Sequence, residues 1–184
     1  MEMEATVPMA EQNLAPAIFL DRDGTLIKDL KYMSREEQVS LLPGAVPALL
    51  AFQKYGFKLI VVSNQSGVAR GLISLEQAAA VHSRFVTLML GAGVAFDGVY
   101  YCYHAPGDGC GCRKPSPGLV YLAAQEHNID LPRSVFIGDQ STDAETGTNA
   151  GIRSLLLSFS SDGASGWNEI VKDILGRNLE NPGR

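Results

Sequence analysis

The chain has 184 residues, 46% of them hydrophobic and 19% charged, an ordinary globular composition with enough length for one domain and its core. Its formal net charge of −5 argues against a nucleic-acid partner, whose phosphate backbone favours basic surfaces, but leaves room for a small anion at a local positive site. No apolar run is long enough to span a bilayer, and residues 1–16 lack the basic-then-apolar order of a signal peptide, so a cytoplasmic protein with no membrane partner is the default expectation.

Residues 1–16 read as an N-terminal extension and 17–184 as a single domain. Ala17-Ile18-Phe19-Leu20 is a short apolar run that stops at Asp21-Arg22-Asp23-Gly24-Thr25, the pattern of a buried strand delivering polar residues at its C-terminal end. Pro43-Gly44 then opens a helical segment with apolar residues at Val46, Leu49, Leu50 and Phe52, and Gly56 is placed to end it. Lys58 to Val62 is a second strand, followed by Ser63-Asn64-Gln65-Ser66-Gly67. Ser74 with Gln77 three residues on predicts a capping box for a helix running towards Leu90. Gly98 to Tyr101 is a third strand, Pro117 to about His127 a helix, and Ser134 to Ile137 a strand ending at Gly138-Asp139. A helix over Ala144 to Ala150, a strand at Ser154 to Leu157 and a short helix around Trp167 to Leu175 complete the chain.

Apolar strands alternating with helices predict an α/β fold, a parallel sheet with helices on both faces. In such sheets ligands bind beyond the carboxyl ends of the strands. Asp21, Ser63 and Asp139 each fall just after a strand, so the fold would bring them together.

The three cysteines lie between Cys102 and Cys112. An odd number crowded into one segment is a poor disulfide framework. Cys102-x-His104 with Cys110-x-Cys112 instead offers three thiolates and an imidazole, the donor set of a closed, structural zinc site; free thiols on a loop are the alternative. Arg113 and Lys114 follow directly, so a metal in the 102–112 loop would rigidify the segment that presents them.

Alone, Asp21-x-Asp23-Gly24 could be a loop cap or a solvated turn. Followed by Ser63-Asn64, by Lys114 in Arg113-Lys114-Pro115, and by Gly138-Asp139 with Asp143, it resembles the motif set of the haloacid-dehalogenase-like phosphatases over roughly Ala17 to Leu157. The resemblance implies a three-layer Rossmann-like domain and a Mg2+-dependent reaction in which Asp21 is the nucleophile, forming an aspartyl-phosphate, and Asp23 the general acid and base. It further implies that Asp21 and Asp139 hold magnesium by carboxylates and Asp23 by its carbonyl, while Ser63 and Lys114 hold the transferring oxygens. Asp143 would orient Lys114 or a metal-bound water.

The zinc loop, Cys-x-His with Cys-x-Cys-Arg-Lys-Pro, resembles the capless branch that contains the D-glycero-D-manno-heptose 1,7-bisphosphate phosphatases and the histidinol-phosphate phosphatases. Ser63-Asn64-Gln65-Ser66-Gly67 ending in Arg70-Gly71 resembles the heptose group. That likeness implies an enzyme acting on a small sugar phosphate in heptose precursor and lipopolysaccharide biosynthesis, releasing the 7-phosphate; a monomer is the default expectation. It places Asp29, Tyr32, Ser63, Asn64, Gln65, Ser66, Arg113 and Lys114 against the substrate, with Arg113 as a clamp for a second phosphate. Ile27, Lys31 and Gln140 depart from residues common in these enzymes. A histidinol-phosphate phosphatase is the nearest competitor; a nucleic-acid 3'-phosphatase and a silent binding module on the same fold are the others.

Overall fold

The computed structural model describes residues 14–159 and 165–180, with Ser165 and residues 177–180 by backbone alone. Most of the N-terminal extension therefore lies outside the described residues. Its end does not: Ala15 bridges Ile129, and the Pro16 carbonyl accepts the Lys58 N–H at 2.9 Å.

Five parallel strands form one sheet: β1 (Ala17–Leu20), β2 (Lys58–Asn64), β3 (Gly98–Cys102), β4 (Val135–Gly138) and β5 (Arg153–Leu156). Their order is β3-β2-β1-β4-β5. Five helices connect or flank them: α1 (Ala45–Lys54), α2 (Leu75–Gly91), α3 (Gly118–His127), α4 (Ser141–Ala150) and α5 (Ser165–Glu180). Successive strand residues point to opposite faces, and β1 shows how the two cores divide. Ile18 and Leu20 pack with Leu49 and Phe52 of α1, Val81 and Phe85 of α2, and Trp167 and Ile170 of α5. Ala17 and Phe19 pack with Leu119, Val120 and Ala123 of α3 and Ala150 of α4. The result is the three-layer sandwich expected of strands that are apolar on both sides.

From β1 the chain moves outward through β2 to β3, then returns across both strands to β4 and continues to β5 on the far side. The direction of winding therefore reverses between β1 and β4, where open parallel sheets leave a crevice at their carboxyl ends. Register pairs Leu20 with Ile137 and Val61, so Asp21, Asp139 and Ser63 emerge at one end of neighbouring strands. No cap is inserted there: between β1 and α1 the described chain holds only a 3-10 turn at Glu36–Gln38, and a short loop joins β2 to α2.

Several boundaries differ from the sequence reading. β2 continues through Ser63 and Asn64, because their backbones still pair with Tyr101 and Cys102 after the apolar run has ended. α4 starts at Ser141, before its first apolar residue, where the Asp143 carboxylate caps it by accepting the Gln140 N–H. In α1 the buried face is Ala45, Ala48, Leu49 and Phe52, which leaves Leu50 exposed. The Ser74–Gln77 capping box forms, with the Gln77 N–H donating to Ser74 Oγ at 3.2 Å.

Among the described residues, no helix is long and apolar enough to cross a membrane. α5 docks on α1 through Trp167, which is fully buried. Trp167→Ala should cost about 3–5 kcal/mol. Urea unfolding measures this, and a loss under about 1 kcal/mol would mean that α5 does not contribute to the core.

Candidate active site

The carboxyl end of the sheet opens into a cavity of about 560 Å³. Its lining includes Asp21, Asp23, Asp29, Tyr32, Ser63, Asn64, Gln65, Ser66 and Lys114, so nine of the expected site residues share one space. Arg113 is not among the lining residues. Its guanidinium donates through Nη1 to the His104 carbonyl at 3.3 Å, towards the cysteine loop.

At the centre, the Lys114 ammonium donates to Asp21 Oδ1 at 2.5 Å and to Asp143 Oδ1 at 2.6 Å. All three side chains are buried. Burial opposes the ammonium charge, but the two carboxylates outweigh it and hold the Lys114 pKa above its ordinary value. Each partner is fixed from behind. The Asp21 N–H donates to the Ile137 carbonyl at 3.0 Å, and Asp143 Oδ2 accepts the Gln140 N–H at 3.0 Å. Glycine is required at 138 because a Cβ there would lie 2.3 Å from Asp143 Cγ if nothing moved, a distance real side chains never show.

Lys114 comes from the long β3–α3 connection and has no strand to hold it. Asn64, the last residue of β2, supplies the support: its Oδ1 accepts the Lys114 N–H at 3.0 Å and its Nδ2 donates to the Lys114 carbonyl at 3.2 Å. This two-point bond resembles a ladder pair continued by a side chain. Ser63 is buried beside it, with its Oγ accepting from Gln65 Nε2 at 3.2 Å.

Asp23 sits in a second ion pair. Arg22 donates to it through Nη2 at 2.8 Å and through Nε at 3.2 Å, and Gln65 Nε2 donates at 2.6 Å. Burial pushes the Asp23 carboxyl above its usual range, against the pull of Arg22. Arg22 is itself buried; its guanidinium lies 5.2 Å from the Tyr101 ring centroid and Nη1 donates to the Tyr101 hydroxyl at 3.4 Å. The Tyr101 phenol, raised by burial to about 12, stays neutral, and its oxygen is 3.0 Å from Nδ1 of His82, whose pKa burial lowers. The sequence reading missed this Arg22–Tyr101–His82 chain. Its partners lie on β3 and α2, and only the fold brings them to the β1 loop.

Asp139 accepts from Thr25 Oγ1 at 3.0 Å and from Gln140 Nε2 at 2.8 Å. The β1 loop packs directly on this carboxylate: Gly24 has a φ of +86°, and a Cβ there would lie 2.7 Å from Asp139 Cγ. Carboxylate oxygens of Asp21, Asp139 and Asp143 lie within 4.8 Å of one another. Three carboxylates with one ammonium leave two negative charges uncompensated, which suits a hard divalent cation with oxygen ligands. All three also accept hydrogen bonds from the protein: Asp21 from Lys114, Asp139 from Thr25 and Gln140, and Asp143 from Lys114 and Gln140.

The second cluster is the sulfur site. Cys102 Sγ lies 3.3 Å from Cys112 Sγ and 3.7 Å from Cys110 Sγ, while His104 Nδ1 lies 3.2 Å from Cys112 Sγ and 3.5 Å from Cys102 Sγ. No disulfide joins them. Ligand atoms about 2.0–2.3 Å from a tetrahedral zinc are separated by roughly 3.5–3.8 Å. The four donors converge at nearly that spacing, so the set fits zinc.

The HAD-hydrolase-like family model matches residues 111–163. The D-glycero-beta-D-manno-heptose-1,7-bisphosphate 7-phosphatase of Helicobacter pylori strain J99 is 39% identical over 142 residues, covering 77% of this chain and 82% of that one. This chain belongs to that phosphatase family. The corresponding protein of Photorhabdus laumondii is 37% identical, covering 77% of this chain and 79% of its own. Among solved structures, the D,D-heptose 1,7-bisphosphate phosphatase of B. bronchiseptica, complexed with magnesium and phosphate, matches with a TM-score of 0.76 and 26% identity. That match covers 86% of this chain and 99% of the other.

For a member of this family, the Asn64–Lys114 pairing carries a direct consequence. Asn64→Ala should cost about 1–3 kcal/mol of stability through the two lost, partly buried hydrogen bonds. It should also slow phosphate release about tenfold to a hundredfold by freeing the Lys114 backbone. Steady-state kinetics beside thermal unfolding measure both, and full turnover in the variant would show that Asn64 does not position Lys114.

Proposed function

We propose that this chain removes the 7-phosphate of D-glycero-D-manno-heptose 1,7-bisphosphate and leaves the 1-phosphate in place. The observation that carries the chemistry is the buried contact of Lys114 with Asp21 at the β1–β4 crevice. The identity to heptose bisphosphate phosphatases over most of the chain supports the substrate.

Asp21 attacks phosphorus through a carboxylate oxygen, and the bond to the sugar oxygen breaks, leaving an aspartyl-phosphate. Lys114 and the Ser63 hydroxyl hold the oxygens of the transferring group. Asp23 supplies the proton to the departing sugar oxygen, and its burial favours the neutral form that this needs. It then takes a proton from the water that hydrolyses the intermediate. Asp21 and Asp139, with the Asp23 carbonyl, would hold magnesium. That ion, when bound, screens the repulsion between the Asp21 carboxylate and the incoming phosphate. Asp143 orients Lys114. Cys102, His104, Cys110 and Cys112 would hold zinc through four protein donors, which would serve to rigidify the segment that delivers Lys114.

A panel assay in magnesium, comparing phosphate release from the heptose bisphosphate and from histidinol phosphate, tests the substrate. Higher kcat/KM for the heptose is expected; preference for histidinol phosphate overturns the reading. Asp21→Asn should bring turnover to background while thermal unfolding still shows a folded protein.

Zinc makes a separate prediction. Purified protein should contain one zinc per chain by elemental analysis, and Cys112→Ser should lose it and most of its turnover together. Full activity in a zinc-free variant would separate the cluster from the placement of Lys114.

A further inference from the structure

Three cationic residues line the cavity, and two of them are already committed. Arg22 is buried against Asp23, and Lys114 against Asp21 and Asp143. Lys31 is the third. Its side chain is exposed at the cavity wall, and it forms no ion pair among the described residues.

The backbone that presents Lys31 is unusual. Lys31 and Tyr32 both have a φ of +49°, a left-handed conformation that residues with a Cβ disfavour. Two such residues in succession persist only where their surroundings over-determine them, as happens around binding sites. Here three contacts do so. The Asp29 carboxylate accepts the Lys31 N–H at 2.8 Å, closing the turn from its start. Arg70 donates to the Tyr32 hydroxyl and lies 5.4 Å from the ring centroid, tying this loop to the one after β2. The Tyr32 ring also packs on Gly67, where a Cβ would lie 2.9 Å from its Cδ1. The turn is thereby anchored at both ends, and Lys31 stands on it at the cavity wall.

Of the other described lining residues, Ser66, Gln140 and Thr142 offer neutral donors, so Lys31 is the one uncommitted cation among them. Asp29 can only accept hydrogen bonds when ionised, which suits sugar hydroxyls and repels phosphate. Arg113 is directed at the His104 carbonyl. We infer that Lys31 binds the second phosphate of a bisphosphate substrate, the one that is not cleaved. The inference rests on the bisphosphate reading above.

The test compares kcat/KM for heptose 1,7-bisphosphate with that for heptose 7-phosphate, which lacks the second anion. In the wild type the bisphosphate should be preferred. Lys31→Met, which keeps the side-chain length, should lower that preference about fivefold to tenfold, mainly through KM. Lys31→Arg should restore it. If Lys31→Met slows both substrates equally, or neither, the ratio is unchanged and the inference is overturned while the bisphosphate reading stands. A wild type that gains nothing from the second phosphate overturns both.

Discussion

The Lys114 ammonium, held between Asp21 and Asp143, is the contact around which the rest of the site is organised. A buried ammonium is tolerated only with partners of opposite charge and good geometry, and here it joins three separate parts of the chain. Asp21 belongs to the loop after β1, Asp143 to the first turn of α4, and Lys114 to the connection between β3 and α3. The triad therefore fixes the position of the proposed nucleophile relative to both halves of the sheet. It also leaves the cluster with excess negative charge once Asp139 is counted, so the same arrangement that positions Asp21 creates the place for a divalent cation. Positioning and metal affinity are two consequences of one charge pattern.

The cost of this design falls on the connection that delivers Lys114. Residues 103–117 have no sheet partners, and loops of that length are ordinarily mobile. Three devices replace the missing ladder. The sulfur cluster gathers Cys102, His104, Cys110 and Cys112 at the end of β3. The Gly118 N–H donates to the Gly111 carbonyl at 3.2 Å, closing the loop on itself. Asn64 then clasps the Lys114 peptide groups from β2. Because Arg113 also donates to the His104 carbonyl, the segment is pulled towards the sulfur site on one side and towards Asp21 on the other. A metal at the cluster would thus act on the reaction purely through geometry.

How much of this could be read from the sequence depends on the range of the interaction. β1 is legible to the residue because it is buried on both faces, so its apolar run coincides with its hydrogen bonding. The end of β2 is not, since Ser63 and Asn64 are polar yet still pair with β3. α4 hides its first turn for a similar reason: STDAETGTNA carries little apolar periodicity, and its start is set by the Asp143 carboxylate accepting the Gln140 N–H. The site residues were legible as an ordered motif set, and the cavity gathers most of them. Their partnerships were not. Arg22 with Tyr101 spans 79 residues of sequence and Asn64 with Lys114 spans 50, and no local pattern encodes either pair. Asn64 shows the difference well: the motif places it at the cavity, where it does lie, but only the fold shows that its side chain also pairs with the Lys114 backbone.

Without a cap, discrimination has to come from the rim, and the rim is built to stay in place. Loops are usually the mobile part of a parallel α/β site, and capped enzymes use such motion to exclude water and complete the site. Here two of the loops that face the cavity are joined by Arg70 and Tyr32, and the left-handed turn at Lys31 and Tyr32 is held against its own preference. Spending backbone strain in this way makes sense if the turn must present a group at one position before substrate arrives, because a preorganised contact loses less entropy on binding. A bisphosphate suits such a site. With one phosphate fixed at the Lys114 end and the other at Lys31, two separated cations define the length and orientation of the ligand, and the sugar between them needs only hydroxyl acceptors such as Asp29. Fixed charges at both ends then do by position what a closing lid does by motion.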